Sequence, residues 1–272
     1  MNARRAILER TIRMPSRLAI AVSGGVDSLT LAAFAQRARS DDVVEVFHAV
    51  SPAVPPEATD LVRRLATAEG WDLHVINAGE FDDPAYTSNP LNRCFTCKSH
   101  LYGAIASLTD SAVVSGTNAD DIGEFRPGLI AADKFGVGHP YVEAGIGKAE
   151  IRSMARELGL GDVADLPAAP CLASRIETGI PIDPQILLAV NRVERGLRSM
   201  VSPSAVRCRL RDRGVVIELD DDTLGSLTDQ RRGLIERWVE REWPESGTAV
   251  VIERYVRGSA FVGVSHFSDR PK

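Results

Sequence analysis

The apolar and polar positions of the chain predict strands and helices in regular alternation as far as Gly161. Residues 17–23 (RLAIAVS) form a short apolar run ending in a glycine pair, which reads as a buried strand. Beyond it, Leu29, Leu31, Ala32, Phe34 and Ala35 recur at helical spacing over 26–39. The same reasoning predicts strands over 43–50, 73–77 and 111–115, and helices over 56–69, 97–108 and 148–158. Pro55 and Pro56 open the helix at 56, and Gly159 closes the one at 148. Ahead of the first strand, Ile7, Leu8 and Ile12 suit a short surface helix. Strands alternating with helices imply a parallel sheet covered on both faces. Such a sheet collects ligands at the C-terminal ends of its strands, where the loops after Ser23, Val50 and Ser115 fall.

The pattern changes near Gly161. Residues 164–170 are rich in proline and alanine and read as a linker. A helix (184–200), paired strands (205–210 and 214–219), a helix (224–240) and a strand (248–253) follow. The expected organisation is an α/β domain over 1–165 and a smaller α+β domain over 166–272. No internal repeat or low-complexity segment interrupts it.

With 272 residues, 44% of them hydrophobic and 25% charged, the chain can bury a substantial core. No apolar run approaches the roughly 20 residues that span a bilayer. The basic N-terminal segment lacks the apolar stretch of a secretory signal, so a cytoplasmic location is the default. A net charge of −5 argues against a nucleic-acid partner, although a local basic groove stays open. In that compartment the four cysteines are not expected to form structural disulfides.

The chemistry begins at Ser23-Gly24-Gly25-Val26-Asp27-Ser28, between a strand and a helix. Glycines there permit a tight turn that aims backbone amides at one place, and the helix N-terminus adds partial positive charge, so the loop suits phosphate. Ser23 and Ser28 add hydroxyl donors. Asp27 is out of place beside a polyanion unless it caps backbone amides or helps hold magnesium. The loop lacks the Lys-Ser/Thr ending of the Walker type. Its hexapeptide resembles the PP-loop of enzymes that split ATP into AMP and pyrophosphate. Gly145-Ile146-Gly147-Lys148 reads mainly as a helix entry, with Lys148 still able to reach a phosphate.

Cys94 and Cys97 form a C-x-x-C at a helix start, and Cys171 stands in Pro170-Cys171-Leu172-Ala173-Ser174-Arg175. Arg93, Lys98 and Arg175 beside them favour thiolates, which sulfur chemistry and metal binding both need. Two cysteines make an incomplete zinc site, whereas three suit a 4Fe–4S cluster with one iron left open. Cys208 alternates inward with Val206 and Leu210 and reads as a core residue.

Taken together, Ser23–Ser28, RCFTCK with Leu101-Tyr102, Gly116-Thr117-Asn118-Ala119-Asp120-Asp121, Phe125-Arg126-Pro127-Gly128, the helix from Lys148 and PCLASR resemble the LarE family. These sulfur transferases build the nickel-pincer nucleotide cofactor, and the likeness runs from about Leu18 to Leu219. It implies an adenine nucleotide alpha hydrolase-like (PP-loop) domain that adenylates a carboxylate of pyridinium-3,5-biscarboxylic acid mononucleotide with ATP and Mg2+. Sulfur then displaces AMP to leave a thiocarboxylate. Some members sacrifice the cysteine at the position of Cys171; others add two cysteines, matching Cys94 and Cys97, and hold a 4Fe–4S cluster. The three cysteines favour the cluster-bearing subtype. By the same resemblance Asn118, Asp121, Lys98 and Arg126 join the ATP site. It implies that Glu194, Arg207 and Arg209 surround the mononucleotide, as Arg suits phosphate and carboxylate, while Ser174 and Arg175, beside Cys171, are candidates to hold the adenylate or the substrate. Arg195 and Arg198 read as a solvated face. The family also suggests a homo-oligomer.

Three other readings stay open: a tRNA-thiolating enzyme, which would need a basic RNA surface; an amide-forming synthetase, which would not need the cysteines; and a nucleotide sensor without catalysis.

Overall fold

The computed structural model describes residues 2–40, 42–122, 127–168 and 170–261. In chain order the elements are α1 (Asn2–Arg13), β1 (Leu18–Ala21), α2 (Val26–Ala38), β2 (Glu45–Ala49), α3 (Pro56–Glu69), β3 (Asp72–Ile76), α4 (Pro84–Thr87) and α5 (Arg93–Ala106). They continue with β4 (Ala112–Ser115), α6 (Pro127–Lys134), α7 (Pro140–Glu143), α8 (Lys148–Glu157), α9 (Gly161–Ala164) and α10 (Pro184–Val201). The last are β5 (Val206–Arg211), β6 (Gly214–Leu219), α11 (Asp221–Gly225), α12 (Asp229–Glu242) and β7 (Val250–Arg254). The chain divides into two compact units, Met1–Glu80 with Cys94–Ala169 and Phe81–Arg93 with Pro170–Lys272.

The first unit is an α/β body around a four-stranded, all-parallel sheet in the order β3-β2-β1-β4. This architecture is compatible with a PP-loop fold. Ile20 of the central β1 pairs with Val46 on one side and Val114 on the other, and none of these is more than 6% exposed. Beyond β4 the chain adds a single parallel bridge between Val114 and Gly138, with Ser115 donating to the Gly138 carbonyl at 3.0 Å. That segment carries no strand-length apolar run, so periodicity does not reveal it. The helix expected at the surface before β1 is instead anchored. Leu8 and Ile12 of α1 are 0% exposed where the helix packs on α2 and α7, a burial of roughly 1.5–3 kcal/mol per side chain. Gly70, at φ +70°, ends α3 in the left-handed conformation that glycine adopts without steric cost.

The second unit holds a three-stranded sheet, β5-β6-β7, in which β5 and β6 are antiparallel and β6 and β7 parallel. Segment 81–93 belongs to this unit through Asn89, buried at φ +57°, whose amide donates to the carbonyls of Glu177 at 2.8 Å and Ile180 at 2.9 Å. The single helix expected over 224–240 is two helices. Asp220 accepts from the Thr223 amide and starts α11, and Thr228 accepts from the Arg231 amide and starts α12. Two side-chain caps within one apolar-periodic stretch outweigh the period, because each satisfies a backbone donor that a continuous helix would bond internally. Among the described residues no helix is long and apolar enough to cross a membrane.

Candidate functional site

The glycine loop lies between β1 and α2, and its backbone is pressed from two sides. Gly24 has φ +83°, and a Cβ there would sit 2.9 Å from that of Ala58 on α3. Gly116, just past β4, comes so near that a Cβ on it would stand 2.7 Å from the Ser28 amide nitrogen. Glycine takes the first conformation without strain and without meeting Ala58, and at the second it leaves the only room there is beside Ser28. Within the loop the Ser28 hydroxyl accepts from the Ser23 amide at 3.1 Å and donates to the Gly25 carbonyl at 3.2 Å. Ser23 and Ser28 therefore brace the turn. Val26 faces the core at 4% exposure. Gly25 is the N-cap of α2 and supplies no side-chain bond, so the first-turn amides of a 13-residue helix open onto the loop.

Asp27 does not cap those amides. Its Oδ2 accepts from Lys148 Nζ at 2.7 Å, a pair half open to solvent. Burial raises the Asp27 pKa above the ordinary carboxylate value, with the Lys148 bond and charge pulling the other way. Its Oδ1 is buried with no hydrogen-bond partner among the described residues, an oxygen that fits a hard cation such as Mg2+. Lys148, expected mainly as a helix entry, thus stands at the loop, and its own amide donates to Asp120 at 2.7 Å. Gly147 is required for that approach, since a Cβ there would lie 2.8 Å from the Asp120 carboxylate.

Asn118 and Asp121 form a capping box on the turn Ala119–Asp121: the Asn118 side chain accepts from the Asp120 amide, and Asp121 accepts from the Asn118 amide at 3.2 Å. Asn118 is 1% exposed, so it shapes this loop from within, while the Asp121 charge bears on Asp27. Past β2, one strand over from the glycine loop, a cleft of about 430 Å³ is lined by Val50, Ser51, Val54, Thr59 and Arg63. Arg126 lies outside the described residues.

Cys94 and Cys97 are one turn apart on α5 and partly exposed. On the same helix Lys98 stands over the Tyr102 ring at 5.6 Å, and its stem meets Gly128 of α6, where a Cβ would come within 3.1 Å. Its charge also bears on His139. His139 follows the bridge at Gly138, and its Nδ1 is 2.9 Å from the Ser115 hydroxyl, which is itself 3.1 Å from that of Thr117. Burial lowers the His139 pKa, with Glu143 opposing and Lys98 adding to the effect. Sequence reading passed over His139, and the signal available was a His-Pro step opening a short helix after an unrecognised strand end.

In the second unit Cys171 is exposed and caps the short turn Leu172–Arg175. Arg175, 3% exposed, holds that turn. It donates to the Pro170 and Cys171 carbonyls at 2.6 and 3.1 Å and pairs with Glu194 at 2.9 Å. Burial would raise the Glu194 pKa, but the Arg175 bond and charge bring it below the ordinary value. Glu194 also accepts from Arg198 at 3.0 Å and from the Cys208 amide at 3.1 Å. Arg209, 3% exposed, pairs with Glu218 at 2.8 Å and donates to the Ser174 carbonyl. Arg207 lies half-buried against the Tyr255 ring at 5.6 Å, its pKa lowered by burial and then by Arg175. Arg93, 1% exposed, donates to Asn89 at 2.7 Å and lies under the Phe261 ring. Cys208 is a core residue at 0% exposure, and burial pushes its thiol pKa up. No cysteine is in a disulfide, and among the described residues no three His, Cys, Asp or Glu side chains gather as a metal-binding group.

No protein-family model matches the chain. An uncharacterized protein of Synechocystis sp. is 35% identical over 246 residues, covering 85% of this chain and 91% of that protein. An uncharacterized protein of Methanocaldococcus jannaschii is 28% identical over 228 residues, 82% of this chain and 84% of its own length. A more distant homologue, 26% identical over 231 residues and covering 84% of this chain and 83% of its own, is the pyridinium-3,5-bisthiocarboxylic acid mononucleotide synthase of Lactiplantibacillus plantarum.

Proposed function

The chain belongs to the family of the uncharacterized Synechocystis protein slr1717, and we propose that it is an ATP-dependent sulfur transferase of nickel-pincer nucleotide synthesis. Its reaction would convert a carboxylate of pyridinium-3,5-biscarboxylic acid mononucleotide to a thiocarboxylate. The observation that carries this reading lies inside the first unit. A glycine loop without a Walker lysine packs on Gly116, the neighbouring Ser115 bonds His139, and a charge that bears on His139 is Lys98, on the helix of Cys94 and Cys97. The distant likeness to the Lactiplantibacillus synthase supports the substrate.

The amides at the start of α2 and the Ser23–Ser28 loop hold the triphosphate, and the cleft beyond Val50 takes the nucleoside. Lys148 would reach the phosphates in place of Asp27, and the Asp27 carboxylate would hold Mg2+, which supplies positive charge to the phosphate oxygens. Arg207 and Ser174 meet the mononucleotide, with Glu194, Arg175 and Arg209 fixing them in place. A substrate carboxylate oxygen attacks the α-phosphorus, and the bond to pyrophosphate breaks with its electron pair. Sulfide then attacks the acyl carbon, and AMP departs with the carbon–oxygen bond pair. Cys94 and Cys97 supply two thiolate donors on one helical face. They would hold an iron–sulfur cluster that supplies the sulfide, and Cys171 in the second unit is a further exposed thiol for the same sulfur chemistry.

Anaerobic iron and sulfide analysis, run with mass spectrometry after incubation with ATP and the biscarboxylate mononucleotide, tests the reading. Pyrophosphate release, a thiocarboxylate product and bound iron are expected. Iron-free protein with Cys171 converted to dehydroalanine would move the sulfur source to Cys171 itself. Absence of pyrophosphate release would sink the enzyme reading.

A further inference from the structure

We propose that His139 is a further nucleotide-contacting residue: pinned at Nδ1 by Ser115, its ring presents Nε2–H to the β- and γ-phosphates of ATP. The inference rests on the reading of Ser23–Ser28 as an ATP site and adds a contact that the glycine motif does not contain.

Placement comes first. Gly138 extends the parallel sheet beside Val114, so His139 occupies the C-terminal end of that added segment. The phosphate loop occupies the same end of β1, and ligands of parallel sheets collect along that edge. Two contacts bind the residues around His139 to the loop. Ser115, its hydrogen-bond partner, precedes Gly116, which packs against the Ser28 amide with room for no side chain. Two residues after His139, the Tyr141 hydroxyl donates to the Asp27 carbonyl at 3.3 Å from a fully buried ring. The residue that bonds His139 is therefore next in the chain to one packed on Ser28, and a residue two positions after His139 bonds Asp27.

Orientation follows from the hydroxyl pair. Thr117 Oγ1 and Ser115 Oγ are 3.1 Å apart, and Ser115 Oγ and His139 Nδ1 are 2.9 Å apart. Of the two directions these distances admit, the one in which Thr117 donates to Ser115 and Ser115 to Nδ1 puts the ring proton on Nε2 and makes that nitrogen a donor, as the proposed contact requires. The charged groups that bear on the ring are Glu143 from α7 and Lys98 from α5, of opposite sign. A neutral donor suits this loop. Lys148 already brings a full positive charge to Asp27, and a directed N–H adds geometry where the Walker lysine is missing. As pyrophosphate leaves, negative charge builds on the oxygens that Nε2–H would meet.

The test uses the full chain with His139→Ala, His139→Gln, His139→Asn and Ser115→Ala. Titration calorimetry measures binding of MgATP, inorganic pyrophosphate and AMP, and thermal melting confirms folding. A hydrogen bond to a charged group is worth about 1.5–3 kcal/mol, so His139→Ala and His139→Asn should weaken MgATP and pyrophosphate binding by about 10- to 150-fold. AMP, which lacks the β- and γ-phosphates, should change little. His139→Gln, whose amide nitrogen falls where Nε2 was, should restore most of the MgATP affinity. Rescue by Asn and not by Gln would show that only the Ser115 bond matters, and would overturn the proposal. So would MgATP affinity unchanged in a folded His139→Ala protein. If wild-type protein binds no MgATP at all, the ATP site itself fails, a result distinct from either of these.

Discussion

The glycine loop of the first unit and the Cys171 turn of the second handle charge in opposite ways. At the glycine loop the Lys148–Asp27 pair leaves 39% and 21% of its side chains exposed, and the rest of the loop is held by backbone and hydroxyl groups. In the second unit Arg175–Glu194 is 3% and 2% exposed, and Arg209–Glu218 is 4% and 1%. A pair open to water can exchange one partner for a ligand at small cost, because solvent and ligand both stabilise the released charge. A buried pair cannot, since an unpaired charge left in a low-dielectric interior costs several kcal/mol. The Lys148–Asp27 pair therefore stays available for exchange, while Arg175–Glu194 and Arg209–Glu218 form a frame that fixes the turn of Cys171 and the strand of Arg207.

Glu194→Ala breaks that contrast most severely. It strands Arg175 and should cost about 3–5 kcal/mol of stability, seen as a fall in the denaturant midpoint. A variant as stable as wild type would show that the pair is no frame. Lys148→Met probes the opposite case. It should weaken MgATP binding by roughly 10- to 100-fold, from a charged contact of about 1.5–3 kcal/mol, while melting within a few degrees of wild type. Destabilisation comparable to that of Glu194→Ala would erase the distinction. The smallest effect is at Asp220, whose pKa is lowered to about 2 by the Thr223 and Ala205 amides against a burial penalty. A carboxylate with a depressed folded pKa stabilises above its ordinary value and loses that contribution as pH falls through about 2. Asp220→Ala should cost about 1 kcal/mol at pH 7, and denaturation curves of the two proteins should converge on acidification toward that value. A difference that persists there would assign the effect to packing.

Much of the first unit was legible because its signals are local. The bounds of α3 matched the expected 56–69 to the residue, its start marked by the paired prolines. Cys208 was readable as core from alternation within one strand. The errors arose where two local signals competed or a segment was too short to have a period. Leu224 through Leu234 kept a helical rhythm across two helices that Asp220 and Thr228 start separately. The four-residue α7 and the Gly138 bridge offered no repeat to detect.

The chain by itself determined the parallel sheet, the glycine loop and the cysteine pair on α5, because each depends on residues within a turn or two of one another. Tertiary structure alone decided that Lys148 meets Asp27 across 121 positions and that Ser115 grips His139 across 24. It also decided that Arg175 and Arg209 spend their charges inside the second unit. Those outcomes depend on which surfaces pack together and how far they exclude water, and no spacing along a single strand or helix encodes that.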